Sequence, residues 1–130
     1  VLVIAVTLAT RLNKTKIISG IILTGNNNGE KTGARTANLD IGLAKNLAKG
    51  LYSCKVDLNG IFYRGLLYYG FNSLTNKDCL EIHILEFNGN IYGKKITAST
   101  ERYLRFPKRF KNVEKLSEQI KKDLAQSFNE

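Results

Sequence analysis

Residues 25–38 have the most unusual chemistry in the chain. They read Gly-Asn-Asn-Asn-Gly-Glu-Lys-Thr-Gly-Ala-Arg-Thr-Ala-Asn. Glycines at positions 25, 29 and 33 permit positive φ and close approach of the backbone to a ligand. Successive N–H groups in such turns form concavities that hold anions. Thr36 and Asn38 then offer neutral oxygen ligands. Mg2+ suits that pair, because it keeps much of its water and takes few protein ligands beside substrate phosphates. The glycines are not followed by Gly-Lys-Ser/Thr, so this is not a Walker A loop. Taken alone, the segment reads more simply as a connecting loop.

Glu81 is the second centre of interest. It lies inside the apolar run 80–87, where alternation puts it on one face with His83, Leu85 and Phe87. A carboxylate among apolar neighbours loses hydration, which raises its pKa and suits a general base. The plainer alternative is an edge-strand glutamate facing water. His83, the only histidine, reads as a structural hydrogen-bonding residue, and Glu86 as a solvated one.

These residues must be held by a strand-rich framework. In residues 51–58, Tyr52, Cys54, Val56 and Leu58 alternate with Ser53, Lys55 and Asp57, the period of a half-buried strand. Asn59-Gly60 follows, the preferred pair for a type I′ hairpin turn, and residues 61–69 form the returning strand. Residues 80–87 predict another strand, Asn88-Gly89-Asn90 a second turn, and 91–99 its return. Residues 17–23 are almost wholly apolar, which predicts a strand buried on both faces. The C-terminal segment changes period: Val113, Leu116, Ile120 and Leu124 form one face of a helix, with Asn112 as a cap and Glu118–Lys122 in the favourable i, i+4 order. Five or six strands and one helix predict a small barrel with the helix packed on it, since closure removes exposed sheet edges.

A chain of 130 residues fits one domain and one core. Two cysteines, Cys54 and Cys79, are too few for a small disulfide scaffold and read as reduced thiols of a cytosolic protein. The apolar run 1–10 is shorter than the roughly 20 residues needed to span a bilayer, and its basic residues follow rather than precede it. It reads as a buried strand or helix, and the chain, which lacks methionine, as a piece of a longer product. The domain division is therefore a lead-in over 1–16 and a barrel domain over 17–130. The formal net charge of +9 attracts anions, whether nucleotides, nucleic acid or anionic surfaces.

The ordered set of motifs resembles the riboflavin kinase family. The stretch from Gly20-Ile-Ile-Leu-Thr-Gly25 through Gly33-Ala-Arg-Thr-Ala-Asn38-Leu39 is similar to its signature, which commonly ends Gly-Phe-Pro-Thr-Ala-Asn. Gly50-Leu51-Tyr52 resembles its Gly-hydrophobic-Tyr strand opening, and Glu81-Ile82-His83 its Glu-x-His strand. Residues 87–94 resemble its second hairpin. Leu104-Arg105 with Phe110, then Leu116 and Gln119 to Asp123, resemble its C-terminal block. The resemblance covers residues 17–128.

It implies a mainly β fold: a small closed Greek-key barrel of about six strands with a C-terminal α-helix. It implies transfer of a phosphoryl group from Mg-ATP to the ribityl 5′-hydroxyl of riboflavin, giving FMN in the cytoplasm. Thr36 and Asn38 would hold metal and phosphates under a loop hinged at Gly25, Gly29 and Gly33. Ile91 and Tyr92 would meet the adenosine end, Glu81 would accept the hydroxyl proton, and Arg105 and Phe110 would flank the flavin. An FMN adenylyltransferase domain is the partner module that bacterial members often carry. Departures occur at Arg35 (usually proline), Ala34 (usually bulky), Glu30 (often basic) and Phe71-Asn72-Ser73-Leu74 (commonly Arg-Pro-Thr-Phe). They keep open a binding module with weakened catalysis. A basic barrel that stacks nucleic-acid bases on Tyr63, Tyr68, Tyr69 and Phe71 is the other alternative.

Overall fold

The computed structural model describes residues 14–23, 34–73, 75–87 and 89–107, and in a C-terminal helix residues 115, 118, 119, 121–123 and 125. Six strands form one antiparallel sheet: β1 (Ile17–Ile21), β2 (Ala34–Leu39), β3 (Gly50–Leu58), β4 (Ile61–Asn72), β5 (Lys77–Leu85) and β6 (Lys95–Arg105). Their order is β1-β6-β3-β4-β5-β2. Within it, β6-β3-β4-β5 is the arrangement of a Greek key, three hairpin-linked strands with the fourth returning beside the first. The expected barrel topology is therefore present.

The sheet curls around a single apolar core. Ile18 and Ile22 from the β1 side meet Ala37 and Leu39 from β2, together with Val56, Leu67, Leu80, Ile82, Ile84, Ile96 and Ala98. Across the seam between the two end strands, the Leu23 N–H donates to the Asn38 carbonyl at 2.9 Å. A short 3-10 turn, Ile41–Ala44, follows β2 and is capped by the Asp40 carboxylate, which accepts from the Gly42 N–H. The β3–β4 hairpin is the one the sequence predicts. Asn59 and Gly60 have φ of 54° and 84°, the left-handed pair a type I′ turn requires.

Several expectations are corrected. Residues 17–23 are not buried on both faces: Ile17, Ile21 and Leu23 are exposed, because β1 ends the sheet and turns only alternate side chains inward. The expected second hairpin does not form. Strand β6 begins at Lys95 and pairs with β3 and β1, and Ile91 is buried in the core during the crossing. Strand β3 keeps the half-buried alternation, with Lys55 exposed and Asp57 half-buried, except that Ser53 on the same face is buried. Residues 34–39, read as the end of a loop, form β2. Phe87 does not share the face of Glu81. Glu86 has φ of 53°, which breaks the alternation, and Phe87 packs against the core with its ring edge-on to Tyr63 at 5.2 Å.

The helical residues near the C-terminus are tied to the sheet by Arg105. Its Nε and Nη2 donate to the two oxygens of Asp123 at 3.1 and 2.9 Å, and Gln119 donates to the same carboxylate at 2.9 Å. Asp123 is buried, so this paired, multiply bonded geometry offsets the loss of its hydration. Glu118 meets Lys115 at 3.5 Å. The expected apolar face at Val113, Leu116, Ile120 and Leu124, and the cap at Asn112, lie outside the described residues.

Candidate functional site

Strands β2 and β5 pair antiparallel with Thr36 opposite His83 and Asn38 opposite Glu81. Directly opposite residues share a face. The even-numbered positions Leu80, Ile82 and Ile84 point into the core, so Glu81 and His83 point to the other face with Thr36 and Asn38. Register extends the row: Tyr68 lies opposite Glu81, and Leu66 opposite His83. This outer face is itself covered. Thr36, Glu81 and His83 are all buried, at 0%, 8% and 6% exposure.

Burial makes every polar contact there matter, because an unpaired polar group in a dry site is costly. The Thr36 Oγ1 lies 3.0 Å from His83 Nδ1. On the other side of the ring, His83 Nε2 lies 3.9 Å from Glu81 Oε2. The second oxygen of Glu81, Oε1, faces the Asn72 amide, which donates at 3.4 Å, at the long end of hydrogen-bond range. Cys79, two residues before Glu81 on the same face, also donates to that carboxylate.

The titration behaviour follows from this setting. Burial raises the pKa of Glu81, and the hydrogen bonds from Asn72 and Cys79 only partly oppose it. Burial pushes the His83 imidazole down to about 4, against the opposing charge of Asp123, so the ring is neutral near pH 7. The Cys79 thiol is pushed up to about 12, chiefly by burial and then by the Glu81 charge. It is a hydrogen-bond donor there, not a nucleophile.

The structure thus brings together Thr36, Asn38 and Glu81 among the residues the sequence singles out. Arg105 is engaged with Asp123, whose charge reaches His83. Ile91 is buried in the core, whereas Tyr92 is 41% exposed. Gly25, Gly29, Gly33 and Phe110 lie outside the described residues. Sequence reasoning gave Asn72, Cys79 and Asp123 no place in the site. The period of two that groups Glu81 with His83 also includes Cys79 and could have found it. Nothing in the sequence signals that Asn72 or Asp123 reaches this face.

For Mg2+, the donor set fits. Thr36 and Asn38 carry neutral oxygens, and a hydroxyl that gives its proton to a neutral imidazole keeps its lone pairs for a cation. Among the described residues no cluster of three or more His, Cys, Asp or Glu side chains could hold a metal alone. A cleft of about 470 Å3 is lined by Phe62, Tyr63, Arg64, Leu85 and Glu86. Its walls exclude Thr36, Asn38 and Glu81, so the polar cluster, not the cavity, marks the candidate reacting centre. Among the described residues no helix is long and apolar enough to cross a membrane.

Comparison with known proteins gives a consistent picture. The family model for flavokinase, described as riboflavin kinase, matches residues 12–129. The RNA-binding riboflavin kinase RibR of Bacillus subtilis is 34% identical over 112 residues, covering 84% of this chain and 48% of that protein. A bifunctional riboflavin kinase/FMN adenylyltransferase from the same organism is 27% identical over 123 residues, covering 90% of this chain and 39% of the relative. The chain therefore spans about half or less of these curated relatives. A crystal structure described as a macrolide-efflux protein from Streptococcus pneumoniae matches with a TM-score of 0.68 at 27% identity, over 88% of this chain and 38% of that one. With the motif order and the Greek-key sheet, the match across nearly the whole length means that this chain belongs to the riboflavin kinase family.

Proposed function

We propose that the chain transfers the γ-phosphoryl group of ATP to the ribityl 5′-hydroxyl of riboflavin, giving FMN and ADP. The observation that carries this reading is Glu81. It is a buried carboxyl with a raised pKa, on one sheet face with Thr36 and Asn38, in a chain of this family. Glu81 takes the hydroxyl proton as the ribityl oxygen attacks phosphorus, and the bond from phosphorus to the bridging oxygen of ADP breaks. Phosphoryl transfer asks little covalent chemistry of a protein, so positioning and charge stabilisation are its main tasks. Thr36 and Asn38 are the residues that would hold Mg2+, which when bound neutralises charge on the phosphates. Asn72 and Cys79 orient the carboxylate from one side. Tyr92 and Arg105 are assigned to the adenosine and flavin ends by family position. A cytoplasmic location suits ATP as donor, and FMN is the substrate that an adenylyltransferase module would consume.

The test is conversion of riboflavin and Mg-ATP to FMN by the folded chain, followed by separation of the flavins. No FMN from folded protein sinks the reading. Flavin binding without turnover would instead mark a weakened module, for which the departures at Glu30, Ala34 and Arg35 are the motive. A second reading, RNA binding, draws on the name of one relative and on the +9 charge. It requires affinity that falls steeply with salt. Retention of binding sites only outside the matched half of that relative would remove it.

A further inference from the structure

We propose that His83 is a positioning residue whose imidazole, held as the Nε2–H tautomer, couples the Thr36 hydroxyl to the Glu81 carboxylate. The inference deepens the kinase reading and rests on its assignment of Glu81 as base.

The argument starts from the two ring nitrogens. A neutral imidazole carries one N–H and one lone pair. With Nδ1 at 3.0 Å from Thr36 Oγ1, two arrangements satisfy that contact. In the first, Nδ1–H donates to the hydroxyl, and the bare Nε2 lone pair faces Glu81 Oε2 at 3.9 Å. Two electron-rich atoms then face each other in a site where little water can screen them. In the second, the Thr36 hydroxyl donates to Nδ1, and Nε2–H faces the carboxylate. That pairing is attractive, so an ionised Glu81 selects it; the Asp123 carboxylate, whose charge also reaches the ring, is already paired with Arg105 and Gln119.

The selection reaches the other end of the ring. In the second arrangement the Thr36 proton is directed at Nδ1, and its oxygen lone pairs are left for a cation or phosphate-bound metal. An ionised base and an accepting Thr36 oxygen are thus the same tautomeric state of one buried ring. The ring cannot turn freely out of this state, since His83 is 6% exposed and lies opposite Leu66 and Thr36 in the sheet. Hydrogen-bonded partners behind a metal ligand fix its orientation and donor character in this way.

His83 is the chain's only histidine, which makes the test direct. Nitrogen-15 NMR of the whole protein at neutral pH reads its tautomer without reference to riboflavin. The expected result is a single Nε2–H form in the wild type and loss of that fixed preference in Glu81→Leu. An Nδ1–H form in the wild type, or an unchanged tautomer in Glu81→Leu, overturns the inference. Kinetics give a second readout. His83→Asn can still accept from Thr36 but cannot reach Glu81, so kcat should fall about 10–100-fold with the Mg2+ dependence kept. His83→Gln reaches toward Glu81 and releases Thr36, so the Mg2+ dependence should weaken instead. If both variants match the wild type in kcat and in Mg2+ dependence, His83 has only a packing role. Should the wild type make no FMN, the kinase reading fails, while the NMR result still decides the tautomer.

Discussion

The two faces of β5 are interleaved residue by residue and have opposite chemistry. Leu80, Ile82 and Ile84 enter an apolar core that is indifferent to pH and strengthened by burial. Glu81 and His83 are buried nearly as deeply on the other face, where burial works against them. Each is driven toward its uncharged form. One face therefore stabilises the fold, and the other holds groups in states that cost stability. Such a cost is expected of a site built for chemistry rather than for packing.

The sharpest way to break this comparison is Glu81→Gln. If Glu81 is the base, the rate of FMN formation should fall on the order of 10²–10⁴-fold. Stability should not fall with it. The raised pKa means that the native state binds the Glu81 proton more tightly than the unfolded chain does. Stability is therefore lost as pH rises from the unfolded carboxylate value through the raised native one, and the loss is complete above it. Glutamine removes that ionisation, so the variant should match or exceed the wild type in denaturant midpoint at neutral pH. A variant that is both active and less stable would put Glu81 with the packing residues. The same shift predicts that the acidic limb of the kcat/KM profile lies above the usual carboxylate range, and that this limb disappears in the variant.

Ile82→Ala, one residue along, should do the reverse. It removes most of a fully buried side chain from the core and should cost about 2–5 kcal/mol of folding stability. The folded fraction should keep its kcat, which activity measured well below the melting transition would check. A large loss of kcat in folded Ile82→Ala would mean that the two faces are not separable.

His83 sharpens the contrast from the acid side. Its pKa is lowered from 6.5 to about 4 by burial. Between those values the unfolded chain binds a proton that the native state refuses, so stability falls as pH falls. The loss on going from pH 6.5 to 4 is on the order of 3 kcal/mol by linkage. Urea titrations across that range should show it in the wild type and not in His83→Asn, after allowance for the carboxylates that titrate below pH 5. An identical pH slope in the two proteins would show that His83 carries its charge freely.

The apolar face was far more legible in the sequence than the polar one. Alternation and the Asn59-Gly60 pair predicted β3 and β4, because one face of that hairpin is core and its turn has a strict backbone requirement. Strand β2 was read as loop. Its Thr36 is polar but buried and its Asn38 polar and half-buried, so the contrast between wet and dry positions that reveals a strand is missing. Strand β1 was read as wholly buried because Ile17, Ile21 and Leu23 are apolar, although they are exposed at the end of the sheet. Residues 91–99 were read as a hairpin return, since a turn signal fixes only local direction and not the partner chosen across the barrel. Thr36, Asn38 and Glu81 were legible through family order alone. The covering contacts are long-range, as with Arg105 and Asp123, 18 residues apart, and leave no periodic trace.

The hairpin tip belongs to neither face and gives the smallest expected effect. Gly60 has φ of 84°, and a Cβ placed there would meet nothing within 4 Å. Gly60→Ala should therefore lose stability only through backbone strain, roughly 1–2 kcal/mol for a side chain forced into left-handed space. The Gly60 N–H bond to Asp57 Oδ1 at 2.8 Å can persist, because alanine keeps the donor. Stability should drop with no change in kcat, in the Mg2+ dependence or in either pH slope. A Gly60→Ala protein with altered kcat would mean that strand register, set at this turn, feeds through β4 to the row holding Tyr68 and Glu81. In that case the polar face would depend on the hairpin as well as on its own contacts, and the division between fold and site would have to be drawn along strands rather than between faces.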